Sequence, residues 1–173
     1  KVFLEILKQK KPHQRYLDVE FIIRYFAFSD NIAKDEMGNV CLNGYRGKLV
    51  QFLNEYMDLH KDCSLEEKKS YKDRFNATIE KIVIVFGTEK AFRDISADNT
   101  KIYKTIADFI MPSFERMSKE YIESNKDLIY SRLVNFLKID EIQDSISKRT
   151  SDRDIVNLRL RMWFKEFEDV ISL

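Results

Sequence analysis

Four glycines and two prolines are all that punctuate these 173 residues. A protein of many short strands needs turn residues at frequent intervals, whereas helices exclude both from their interiors. A chain this poor in both, and rich in Lys, Glu, Ile and Phe, is predicted to be all-α, a compact bundle of about seven to nine helices. Three of the four glycines fall in SDNIAKDEMGNVCLNGYRG. That stretch predicts one long loop near residues 29–47, with a short hairpin around Gly38 to Gly44.

Hydrophobic periodicity places the helices. Leu49, Phe52, Leu53, Tyr56 and Met57 recur at i, i+3, i+4, i+7 and i+8, which predicts a helix over 48–60. Ser64 and Glu67 have the spacing of a capping box. They open a long helix with Tyr71, Phe75, Ile79, Ile82 and Phe86 on one stripe, expected to stop at Gly87. Asn99 is expected to cap a helix carrying Ile102, Ile106, Phe109 and Ile110, which Pro112 kinks or breaks. Ser124 with Asp127 opens another, a short helix surrounds Ile142 and Ile146, and Ser151 caps the last. Residues 1–14 read as the tail of a preceding domain, ended by Pro12. The whole chain, 1–173, reads as a single helical domain and a fragment of a longer chain.

Charge and cysteine usage narrow the function classes. Thirty Lys and Arg stand against twenty-nine Asp and Glu, a net charge of +1. This excludes a strongly basic nucleic-acid module while allowing a local basic face. Two cysteines, Cys41 and Cys63, make no disulfide framework and suit a reducing cytoplasm. No apolar run approaches the roughly 20 residues of a membrane span.

Catalytic chemistry finds little to work with. His60-x-x-Cys63 has the spacing of half a metal site, but a helix-end histidine and a small thiol explain it. Asp152 and Asp154, or Asp140, Glu141 and Asp144, could draw a divalent metal. The first pair, however, falls in a helix's first turn, where acids offset the macrodipole. No glycine lies in a G-x-x-x-x-G-K pattern, and two isolated histidines supply no general base for a nucleophile. No catalytic residue, metal or cofactor is assigned to this piece. Two basic clusters could meet phosphate: Lys8, Lys10 and Lys11 with His13 and Arg15, and Lys148, Arg149 and Arg153 with Arg159 and Arg161. Nearby Asp18, Glu20, Asp152 and Asp154 dilute both. A helical nucleic-acid-binding module is therefore the alternative reading of the chain.

The segment RYLDVEFIIRYFAF, residues 15–28, raises a different question, because Arg15, Asp18, Glu20 and Arg24 interrupt a run that is apolar on nearly every face. Such a run is expected to form a fully buried helix. Buried charges must be paired or they cost several kcal/mol. The four are expected to form a buried polar network, with Arg24 pairing to Glu20 one turn away and to Asp18 as the other candidate, or to mark where another domain docks.

The same segment resembles the R-x-x-D-x-E-x-x-x-R-F-x-A stretch of a bacterial family of domains of unknown function. That family is defined by a D-G-Q-Q-R motif and includes GmrSD-type restriction and phage-defence proteins. YRGKLVQFLNEYMD is similar to the family's Y-x-x-x-L-x-x-F-L-N-x-x-M segment, and FGTEKAFRD to its F-G-x-x-A-F-R. NTKIYKTIADFI and TSDRDIVNLRLRMWFKEF are similar to the stretches that follow, so the resemblance covers nearly the whole chain in order. It implies a helical region behind a ParB/sulfiredoxin-like domain associated with nucleotide hydrolysis, often with an HNH-type nuclease domain further on. This sequence has neither D-G-Q-Q-R nor an HNH arrangement. The resemblance therefore implies a scaffold or coupling domain without catalytic residues of its own. Its implied partners are the N-terminal ParB-like domain of the parent chain and DNA.

Overall fold

The computed structural model describes residues 1–9, 11, 17–97 and 99–173. Eight α-helices and one two-stranded sheet form among them. The helices are α1 (Val2–Ile6), α2 (Leu17–Asn31), α3 (Leu49–Leu59), α4 (Leu65–Lys90), α5 (Lys104–Arg116), α6 (Lys119–Leu137), α7 (Asp140–Ser147) and α8 (Arg153–Lys165). The expected loop contains β1 (Ile32–Lys34) and β2 (Val40–Leu42), antiparallel with Ala33 opposite Cys41. Asp35 builds the turn between them, its carboxylate accepting from the amides of Met37 at 2.9 Å and Asn39 at 2.8 Å.

The central helix is α5, which packs against α2, α4 and α8. Every residue from Thr105 to Phe114 is buried, Asp108 included. Pro112 does not break it. The proline removes one donor, the partner of the Asp108 carbonyl, and the helix, buried from Thr105 to Phe114, continues through that loss to Arg116. The helix also begins later than expected. Asn99 caps nothing there: its side-chain oxygen accepts from the Lys101 amide, and Ile102 pairs with Arg93 in an isolated bridge before α5 starts.

Boundaries differ elsewhere for local reasons. The capping box at Ser64 and Glu67 is formed in both directions. At Gly87, φ of 60° and ψ of −179° bend α4 rather than end it, and one more turn follows to Lys90. The expected start at Ser124 lies inside α6, which is capped earlier by Ser118 and irregular only at Asn125. The last helix has Asp152 rather than Ser151 at its N-cap. Within residues 1–14, expected as the tail of a preceding domain, Val2–Ile6 form α1 and place Phe3 and Ile6 in the common core. Phe3 sets its ring edge-on to Phe75 at 5.1 Å and to Phe21 at 6.0 Å. Pro12 lies outside the described residues.

On the far side, Trp163 fills the space between α5, α6 and the chain end, with Phe109, Phe136 and Phe167 within 5.3 Å. Its indole N–H donates to Ser113 Oγ at 2.9 Å. No described helix is long and apolar enough to cross a membrane.

Candidate functional site

Arg24 sits in the middle of α2, only 8% exposed. Its first partner is neither Glu20 nor Asp18. Asp108 of α5 takes it in a two-pronged pair, Nε to Oδ1 at 2.9 Å and Nη2 to Oδ2 at 2.5 Å. Glu20 follows at 3.5 Å and is itself paired with Lys104. Burial opposes the charge on Arg24, but Asp108 and then Glu20 outweigh it and raise its pKa. A helix run can show only partners on its own face. Asp108 belongs to a segment 84 residues away that is apolar around it, so the signal lay in that lone acid between Ala107 and Phe109. Asp18 is buried at the start of α2, and its Oδ1 meets no hydrogen-bond partner among the described residues. Arg15 lies outside the described residues, as do Lys10 and His13.

A second charged cluster, which the sequence did not suggest, joins α2, α4 and α5 about two turns further along. Arg74 bridges Asp30 at 2.7 Å and Glu115 at 2.8 Å. Tyr56 donates to Asp30, Ser29 to Glu115, and Arg116 to the Ser29 carbonyl. Burial pushes against ionisation of Glu115. The hydrogen bonds from Arg74, Ser29 and Tyr25 prevail and hold its carboxyl below the usual range.

The segments that carry the family resemblance do structural work. Arg93 of FGTEKAFRD is buried and donates to four carbonyls, those of Thr100, Thr88, Ala91 and Ile6. It ties α1 to the end of α4. Asp94 accepts from Ser96 and Gln143, joining that turn to α7.

The basic clusters are less open than their sequence implies. Lys8 pairs with Glu89, Lys148 with Asp144 and Arg149 with Asp152. Arg159 is buried and donates to the carbonyls of Ser145 and Thr150, so it offers nothing to a phosphate. Lys11 is exposed. Arg153 and Arg161 are exposed, with Lys165 on the same stripe of α8. His60 stacks on Tyr56 at 4.1 Å, and its Nδ1 pairs with the Tyr56 carbonyl. No group of three metal-ligating side chains occurs among the described residues.

The surface feature that stands out is apolar. Leu17 and Val19 are exposed, so α2 is not buried on every face as its composition suggests. Ile22, Ile23 and Phe26 of α2 form a groove of about 290 Å³ with Tyr56 and Met57 of α3 and Tyr71 of α4. A second depression of about 360 Å³ continues it past Ile23 and Met57 to Val19 and Val50. Leu59, the last residue of α3, and Leu65, the first of α4, are 82% and 86% exposed. Compared with family models, curated proteins and solved structures, the chain matches none of them.

Proposed function

We propose that this chain is a helical coupling domain of a D-G-Q-Q-R-family protein, and that its α2–α3–α4 groove seats the ParB/sulfiredoxin-like domain of the same parent chain. The observation that carries this reading is the one-sided placement of exposed apolar side chains. Of eleven large ones among the described residues, six lie on α2, α3 and the first residue of α4: Leu17, Val19, Val50, Met57, Leu59 and Leu65. A contiguous apolar surface of this kind marks an interaction site more often than a free face. Position supports the choice of occupant. The N-terminal helix α1 rests on Phe21 and Phe75, and Phe75 in turn lies 6.5 Å from Phe26 in the groove. A domain joined ahead of Lys1 would reach the groove with no long linker. Coupling would run through the core, because the helix that floors the groove is pinned to α5 by Arg24 and Asp108.

The test compares amide hydrogen exchange of the 173-residue chain with that of a parent chain carrying its upstream residues. Exchange around Ile22–Phe26 and Leu53–Met57 is expected to slow in the longer chain and to recover on Met57→Glu. Identical exchange in both chains would refute the docking.

A further inference from the structure

A half-open hollow lies apart from the apolar groove and shares no lining residue with it. It is a cavity of about 510 Å³ between the β1–β2 hairpin and the outer face of α8. That volume lies within the roughly 300–1,000 Å³ of small-molecule sites. Val40, Met162, Phe164 and Ile171 give it apolar lining beside its polar groups. Three cations line it, Lys34 from β1 and Arg161 and Lys165 from α8, four residues apart on one helix stripe. None of the ion pairs within 4 Å among the described residues includes any of the three. Glu168 is the one acidic side chain in the lining, and Asp35 of the hairpin turn lies near enough to Arg161 for that cation to favour its ionised form.

Like charges gathered at one concavity raise one another's energy, and an anion placed among them relieves that repulsion. An extended polyanion fits poorly. Asp35 and Glu36 are exposed in the hairpin turn beside Lys34, and together with Glu168 they would face neighbouring phosphates. A compact anion can sit among Lys34, Arg161 and Lys165 with Glu168 as the one opposing side chain in the lining, and an apolar stem attached to it can lie on Val40 and Phe164. We infer that this cavity binds a small organic anion, a phosphate or carboxylate on an apolar stem, through Lys34, Arg161 and Lys165. The site is separate from the groove assigned to domain docking and stands whether or not that assignment holds.

Hexyl phosphate is the probe, titrated into the 173-residue chain by calorimetry and followed by amide chemical shifts. Saturable binding is expected, with shifts centred on Asn39, Val40, Met162 and Phe164. The exposed double variant Arg161→Gln, Lys165→Gln should weaken it at least tenfold with an unchanged melting temperature. Glu168→Gln should tighten it, which keeps the idea testable if the double variant folds poorly. Hexyl glucoside, with the same stem and no charge, should leave these amides unmoved, and inorganic phosphate should bind more weakly than its hexyl ester. The inference fails if hexyl phosphate moves no cavity amide, if the glucoside binds as well, or if inorganic phosphate binds equally. Duplex DNA competing for the same amides more tightly than hexyl phosphate would replace it with the polyanion reading.

Discussion

At the scale of single residues, the pair between Arg24 and Asp108 has the largest consequences. Removing one partner of a buried ion pair costs about 3–5 kcal/mol, because the other is left charged and dry. Asp108→Ala and Arg24→Ala are each expected to lower the melting temperature by roughly 6–20 °C, at about 2–4 °C per kcal/mol for a chain of this length. Arg24→Met combined with Asp108→Leu should recover most of that loss, since both charges leave together. Glu20→Gln should cost no more than about 1 kcal/mol, because Glu20 is partly solvated and secondary to Asp108. Thermal melts of the four variants decide this. A loss for Glu20→Gln equal to that for Asp108→Ala would put the pairing back on α2 itself.

At the scale of elements, α4 fixes its own start and the end of α5. Its capping box fixes its own first turn, and Lys81 in its middle reaches across to the end of α5. There the ammonium donates to the carbonyls of Phe114 at 3.1 Å, Glu115 at 3.2 Å and Met117 at 2.7 Å. A cation at this end also complements the helix dipole. Hydrogen bonds from a charged donor are each worth about 1.5–3 kcal/mol net, and these three share one half-buried ammonium. Lys81→Met is therefore expected to destabilise the chain by about 1–3 kcal/mol in denaturant melts, while Lys72→Met, on an exposed turn of α4, should change little. An equal effect from both would remove this role from Lys81. The same contrast explains what the sequence could show. The α3 stripe, the Ser64 box and the Phe-rich face of α4 are local patterns, and each was legible. The Lys81 cap, the Arg93 clamp and the Asp30–Arg74–Glu115 cluster join residues far apart in sequence, and no periodicity encodes them. Pro112 misleads for the same reason, since its tolerance comes from the helices around α5. So does α2, whose uniform greasiness hides the exposure of Leu17 and Val19 at its start.

At the scale of the whole molecule, stability has an acid limb and an alkaline limb with named sources. Glu115 titrates below its unfolded value of about 4.3, so its contribution is present above that pH and is lost as pH falls through the folded pKa. Tyr25 and Tyr56 are shifted the other way. Burial raises both, and the nearby Asp30 raises Tyr56 further. Their contribution is complete below about pH 10 and is lost as pH rises through the folded values. Melting temperatures against pH should form a plateau between these limits. Glu115→Gln should lower the plateau and flatten the acid limb below about pH 4.3, and Tyr56→Phe should flatten the alkaline one. Unchanged slopes in either variant would move the source elsewhere. The distance between Arg24 and Asp108 along the chain also bears on synthesis. At roughly 5–20 residues per second, the ribosome needs about 4–17 s after making Arg24 to deliver the aspartate 84 residues later. Throughout that interval the nascent α2 has only Glu20, on its own helix, to offset Arg24. The bond that pins α2 to α5 is thus a late event in synthesis, however early α2 itself forms.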